Sequence, residues 1–385
     1  MRVFALLTRE NRYSFSPIIS AAKGKIKILD SLSQLNKGDV LLFSFQSTEF
    51  ERVHDLLKKI PKWVIKIAGG PHATGLPLHA LHMGFDFVFA GEAEEYILDL
   101  LGFLEGKKEP PPCLWWKDHP GTICKGVEIE KYAPFSENLP IPIEITRGCP
   151  FLCAYCQTPR IFGRKMRHRS AENIIFWVEK LVNRGIKDIR FITPNGLAYG
   201  GRGGANSDGV IYLFQELGRR FPGANFYFGS FPSEFRPEHI TFELLKELRK
   251  YLANERIIFG AQSGSEETLR LLKRGHRISH IIEATEATIK AGFRPEVDFI
   301  FGLPFEDEKQ TLDLMKRLAE MGARIHAHYF LPLPATPLAR EKPRPIGKIL
   351  ARSIEKLTGE GRLFGQWKKQ QELSLKLYKI NMDFS

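Results

Sequence analysis

The chain has 385 residues, 43% hydrophobic and 26% charged, with a net charge of +12. That length exceeds one ordinary core and predicts two or three domains, and the balance is that of a soluble globular protein. No apolar run is long enough to span a bilayer, and the stretch after Met1 is too short for a signal peptide, so a cytoplasmic protein is expected.

In chain order, residues 1–105 alternate short apolar runs (3–8, 40–45, 64–68, 85–90) with helically spaced segments (50–59, 76–83, 94–104). This βα alternation predicts an α/β fold that begins with a Rossmann-like parallel sheet carrying helices on both faces. Three of its strand ends carry small or polar residues: Ser44-Phe45-Gln46-Ser47, Gly69-Gly70-Pro71-His72 and Gly91-Glu92. Strand ends of an open parallel sheet are where ligands sit, and glycine lets a ligand approach the backbone. Residues 106–140 break the alternation with proline-rich ends and predict a linker holding a β-hairpin, with Cys113 and Cys124 on its arms in a structural role.

A second βα series fills residues 141–335. Its strands are expected at 143–146, 187–193, 225–229, 256–260, 294–301 and 324–330, and its helices near 170–184, 208–220, 238–252, 265–273, 279–291 and 308–321. Six such units suit a partial (β/α)6 barrel, whose chemistry belongs at the carboxyl ends of the strands. Residues 336–385 hold 11 basic and 5 acidic residues, a net +6, and are expected as a short basic helical extension. It is either a solvated tail or a contact for a polyanion such as RNA.

Cys149, Cys153 and Cys156 follow the first strand of the second series with Cys-x3-Cys-x2-Cys spacing. A cubane cluster wants four thiolates. Three close ligands leave one iron open, and an open metal position is where substrate chemistry occurs. A zinc site usually needs two Cys-x2-Cys halves or a His-x3–5-His pair close to one, and the chain has a single Cys-x2-Cys with no such pair near it.

The stretch Ile145-Thr146-Arg147-Gly148-Cys149-Pro150-Phe151-Leu152-Cys153-Ala154-Tyr155-Cys156 resembles the radical S-adenosylmethionine (SAM) superfamily, and the resemblance extends over most of 141–335. It implies that the cysteines hold a [4Fe–4S] cluster, that SAM chelates the fourth iron, and that Tyr155 packs near the adenine. Phe191-Ile192-Thr193-Pro194-Asn195-Gly196 stands where the family contacts the SAM amino group, with Asn195 in place of a residue of the usual Gly-Gly-Glu. Gln262 and Ser263, after the fourth strand, fall at the ribose position. Arg274 falls where several branches pair with the SAM carboxylate, although an arginine there also suits a helix C-terminus. Asp298 and Tyr329, near strand ends, are candidates for acid–base work or core hydrogen-bonding groups.

Residues 1–105 resemble the cobalamin (B12)-binding domain that precedes many radical SAM cores. Ser44, Gln46, Ser47, Gly69, Gly70, Gly91 and Glu92 are its expected cobalamin contacts. The lower-ligand histidine after the first strand is missing; Thr8-Arg9-Glu10-Asn11 stands there. Nothing before Cys113 is cysteine, so the first-domain cysteines that methylthiotransferases use for an auxiliary cluster are absent. The resemblance implies a cobalamin-dependent methyltransferase acting on an unactivated carbon, reduced by a low-potential donor such as ferredoxin or flavodoxin. Two alternatives stay open: another radical reaction (rearrangement or cyclisation), and an RNA-binding module with a structural cluster.

Overall fold

A computed structural model describes residues 1–384. The N-terminal sheet has six strands in the order Ile26–Ile28, Val3–Ala5, Val40–Ser44, Ile65–Gly69, Phe87–Phe89 and Leu114–Trp115. The first five are parallel and the last is antiparallel. Val40–Ser44 is buried throughout, as a central strand covered by helices on both faces must be. Helix Arg12–Ala21 and strand Ile26–Ile28 are not expected from the sequence pattern. Pro17 interrupts the helical spacing, and a three-residue strand with exposed Lys27 leaves no period to read.

The linker is not a free hairpin. Leu114–Trp115 joins the edge of the N-terminal sheet, Cys124 bridges to Gly91, and Cys113 and Cys124 form a disulfide.

The second half is a split parallel barrel. Ile143–Glu144, Asp188–Ile192 and Asn225–Tyr227 form one wall, and Arg256–Gln262, Arg294–Phe301, Arg324–Tyr329 and Leu363–Gly365 form the other. Ile258 N donates to Gly229 O at 2.7 Å and Phe235 bridges to Phe259, which joins the two walls. Between strands and helices lies a core rich in phenylalanine, including Phe191, Phe214, Phe226, Phe228, Phe259 and Phe299.

The C-terminal extension is more than helical. Between helices Lys348–Gly359 and Trp367–Phe384 it adds strand Leu363–Gly365 to the barrel, a piece too short to show alternation. The last helix then lies against both domains. Ser374 Oγ donates to Phe330 O, Lys376 pairs with Glu51 at 2.8 Å, and the Phe384 ring meets His79 at 4.9 Å. Among the described residues, no helix is long and apolar enough to cross a membrane.

Candidate active site

The cysteine loop leaves strand Thr146–Arg147 through Gly148 at φ +86°. A Cβ there would lie 2.2 Å from Lys165 O, so both conformation and space demand glycine. The loop is pinned by Cys149 N to Gly163 O (3.1 Å), Ala154 N to Leu272 O (2.9 Å) and Cys156 N to Cys153 O (3.1 Å). All three cysteines are unpaired thiols, and Cys153 is buried. Burial pushes the Cys149 thiol up to about 11 and raises Cys156 as well. These sulfurs therefore become thiolates only beside strong positive charge, which is what an iron cluster supplies.

Two buried arginines flank the loop. Arg236 Nη1 and Arg274 Nη1 each lie 3.8 Å from Cys153 Sγ. Arg274 also donates to Tyr155 Oη (3.1 Å) and to Gly260 O (2.8 Å), while its buried Nε has no partner. Arg236 stacks 3.6 Å above the Phe151 ring, donates to Glu238 (2.5 Å) and reaches Arg274 O. Tyr155 and Arg274 are thus brought together at the cysteine loop. Arg236 is not singled out by the sequence; its position after the third strand, where a barrel's chemistry sits, is the signal that could have found it.

The other expected SAM contacts divide. Asn195 is buried, with Nδ2 3.1 Å from His239 Nδ1 and Oδ1 without a partner. Gln262, at φ +73° after a bulge in its strand, lines a cavity of about 270 Å³ with Tyr155, Asp298 and His328. Ser263 instead points into a buried knot. It donates to Glu306 Oε1 (2.8 Å), lies 3.4 Å from Thr311 Oγ1 and accepts from Ser265 N (3.0 Å). Tyr329 Oη donates to Arg344 O at 2.8 Å and is committed there. Asp298 receives His326 Nδ1 at 2.9 Å, a partner the sequence does not suggest.

In the N-terminal domain, a cavity of about 240 Å³ opens at the strand ends, lined by Ser44, Gly70, Gly91, Glu92, Arg147 and Ile192. Sharing Ser44, Gly70 and Gly91 with it, an apolar slot of about 50 Å³ is lined by Gly69 and by Phe15, Ile18, Ile97 and Leu100 of helices Arg12–Ala21 and Ile97–Leu104. Gly70 sits at φ +86°, and a Cβ would meet Ser44 Oγ at 2.6 Å and Phe45 N at 2.8 Å. Ser44 Oγ is buried without a partner. A glycine-lined cavity with an orphaned hydroxyl, next to an apolar slot, offers the mixed lining that a ligand with polar and apolar parts requires. Gln46 and Ser47 lie elsewhere: Gln46 caps a turn, and Ser47 Oγ is 3.0 Å from His72 Nδ1. Glu92 is fully engaged, with Arg147 Nη1 (3.0 Å), Arg167 Nη1 (2.7 Å) and Gly126 N (3.1 Å).

The family model for the radical SAM superfamily matches residues 143–318. Residues 143–318 thus form a radical SAM domain. Among curated relatives, the putative methylthiotransferase MJ0865 of Methanocaldococcus jannaschii is 26% identical over 72% of this chain and 64% of its own. The tRNA-2-methylthio-N(6)-dimethylallyladenosine synthase of Vibrio cholerae is 30% identical over 55% of this chain and 46% of its own. The chain therefore spans about half to somewhat under two thirds of the length of these relatives. In fold it is similar to the radical SAM methyltransferase TsrM from Kitasatospora setae, solved with cobalamin and a [4Fe–4S] cluster. That match has a TM-score of 0.68 at 12% identity and covers 89% of this chain and 74% of that one. It is similar also to the cobalamin-dependent radical SAM enzyme OxsB, with a TM-score of 0.65 at 14% identity over 94% of this chain and 55% of that one. Both matches extend beyond the barrel and so include the N-terminal domain.

Proposed function

We propose that this chain is a cobalamin-dependent radical SAM enzyme that transfers a methyl group to an unactivated carbon. The observation that carries the reading is Arg147. It lines the N-terminal cavity and stands two residues before Cys149, so a cofactor held in that cavity borders the cysteine loop. With cofactors bound, a [4Fe–4S] cluster on Cys149, Cys153 and Cys156 supplies the electron that cleaves SAM, and cobalamin carries the methyl group.

The chain's own residues do the rest. Arg236 and Arg274 place two guanidinium groups beside the Cys153 sulfur, on the loop that would hold the cluster. The free Nε of Arg274 and the free Oδ1 of Asn195 suit the carboxylate and the amino group of SAM. Buried Phe330 and Ile300 help keep the cavity apolar, as a radical requires. Ser44 and Gly70 would help hold the cobalamin at the strand ends of the N-terminal sheet.

The relatives named as methylthiotransferases favour a second reading, insertion of sulfur together with a methyl group. Against it stands a first domain without cysteine before Cys113. Anaerobic purification followed by iron, sulfide and cobalamin analysis tests the cofactors. Incubation with dithionite and methyl-labelled SAM then tests the reaction. Cobalamin, 5′-deoxyadenosine and labelled methyl on the product support the proposal. An intact cluster without 5′-deoxyadenosine overturns the enzyme, and a methylthio product from a cobalamin-free protein selects the second reading.

A further inference from the structure

We infer that the barrel wall holds a second metal site, for a divalent transition-metal ion, on Asp298, His326 and His328. Strands Arg294–Phe301 and Arg324–Tyr329 are paired so that Asp298 lies opposite His326. His328 is two residues further on, hence on the same face. Asp298 Oδ1 is 2.9 Å from His326 Nδ1 and 3.7 Å from His328 Nε2, and the three ligating atoms all lie within 4.8 Å of one another. Two imidazoles and one carboxylate converging from adjacent strands form a two-His-one-carboxylate set. Such a set binds first-row divalent metals and leaves coordination positions open.

The surroundings fix the donors. The His326 ring stacks on Phe364 at 4.6 Å and 7° interplanar angle, and Phe364 is opposite it in the strand register. That holds the imidazole on rigid elements, as a metal ligand must be held. The two imidazole rings lie 4.2 Å apart in an edge-to-face arrangement at 63°.

The open side of the site faces the reaction chamber. Asp298 and His328 line the same cavity as Gln262 and Tyr155, the residue before Cys156. A metal there would present its remaining positions to an oxygen or nitrogen donor of the substrate, in front of the cluster loop. The inference needs neither cobalamin nor methyl transfer.

The test uses the full-length, cluster-loaded protein, in which Cys149, Cys153 and Cys156 are occupied by iron. After chelation and desalting it is titrated with Co2+ alone. The expected result is one equivalent bound, with ligand-field bands and no thiolate charge-transfer band. In His328→Ala and Asp298→Asn the affinity should fall by at least about tenfold, since even the loss of a ligand's hydrogen-bonding partner costs that much. Binding unchanged in both variants would overturn the site. Should a variant misfold, seen as loss of the cluster absorbance, zinc-edge X-ray absorption on the Zn2+-loaded wild type decides instead. Nitrogen and oxygen ligands uphold the site, and sulfur ligands or no bound zinc refute it.

Discussion

Arg147 Nη1 donates to Glu92 Oε2 at 3.0 Å, tying the strand before the cysteine loop to the end of the fifth N-terminal strand. The same guanidinium reaches Glu94 and Glu144 at 2.6 Å each, and Arg167 adds two bonds to Glu92 at 2.7 and 2.9 Å. Glu92 has a side chain 0% exposed and Arg147 one 9% exposed, so the charges lie out of water. A buried charge left without its partner costs about 3–5 kcal/mol. Arg147→Ala should therefore lower stability by about that much in denaturant titration, and cluster yield should fall because the loop loses its anchor. Arg147→Lys should recover little, because an ammonium cannot make the bidentate bond to Glu144.

Cys153→Ala should bind no intact cluster and make no 5′-deoxyadenosine, while its far-ultraviolet circular dichroism stays unchanged. The backbone bonds that shape the loop come from residues on either side, Cys149 N to Gly163 O and Ala154 N to Leu272 O, and do not use the sulfur. Iron content and SAM cleavage should fall together to background. Retention of SAM cleavage at more than a few per cent would remove Cys153 from the ligand set.

Arg147 and Cys153 also mark what can be read before folding. The cysteine spacing is local, and so are the long strands 256–262 and 294–301, whose apolar runs the chain displays directly. The ion network is not local: Arg147 and Glu92 are 55 residues apart, and each alone looks like an ordinary surface charge. The same holds for Arg236, 83 residues from Cys153. Ser263 shows the opposite failure. Its place at a strand end suggests a ligand contact, but Glu306 and Thr311 come up behind it and take its hydroxyl. The basic C-terminal segment is legible as charge, whereas its three-residue strand depends on pairing with 325–327, and its grip on Glu51 and His79 on partners more than 300 residues away.

Gly70→Ala tests the N-terminal cavity. The added methyl would enter a left-handed backbone position and meet Ser44 Oγ at 2.6 Å and Phe45 N at 2.8 Å. Destabilisation of about 1 kcal/mol or more is expected from the conformation alone. If cobalamin occupies this cavity, its retention through purification should drop at least severalfold, while cluster content and 5′-deoxyadenosine formation persist. Unchanged cobalamin content would place that cofactor elsewhere.

His72 sets an acid limit on the N-terminal domain. It is fully buried, with Ser47 Oγ at 3.0 Å from Nδ1 and His79 Nδ1 at 2.9 Å from Nε2. Burial depresses His72 to about 3, and burial and nearby histidines depress His79 to about 4. In the unfolded chain both bind a proton below about pH 6.5. Between about pH 6.5 and those folded values the unfolded state therefore carries more protons, so stability rises with pH across that window and is lost as pH falls. Thermal unfolding of the wild type should show Tm falling steadily from pH 6.5 toward 4. His72→Gln keeps a polar side chain that does not protonate, so its Tm should start lower at pH 7 and fall less steeply. A parallel pair of curves would show that His72 takes no part in the acid sensitivity.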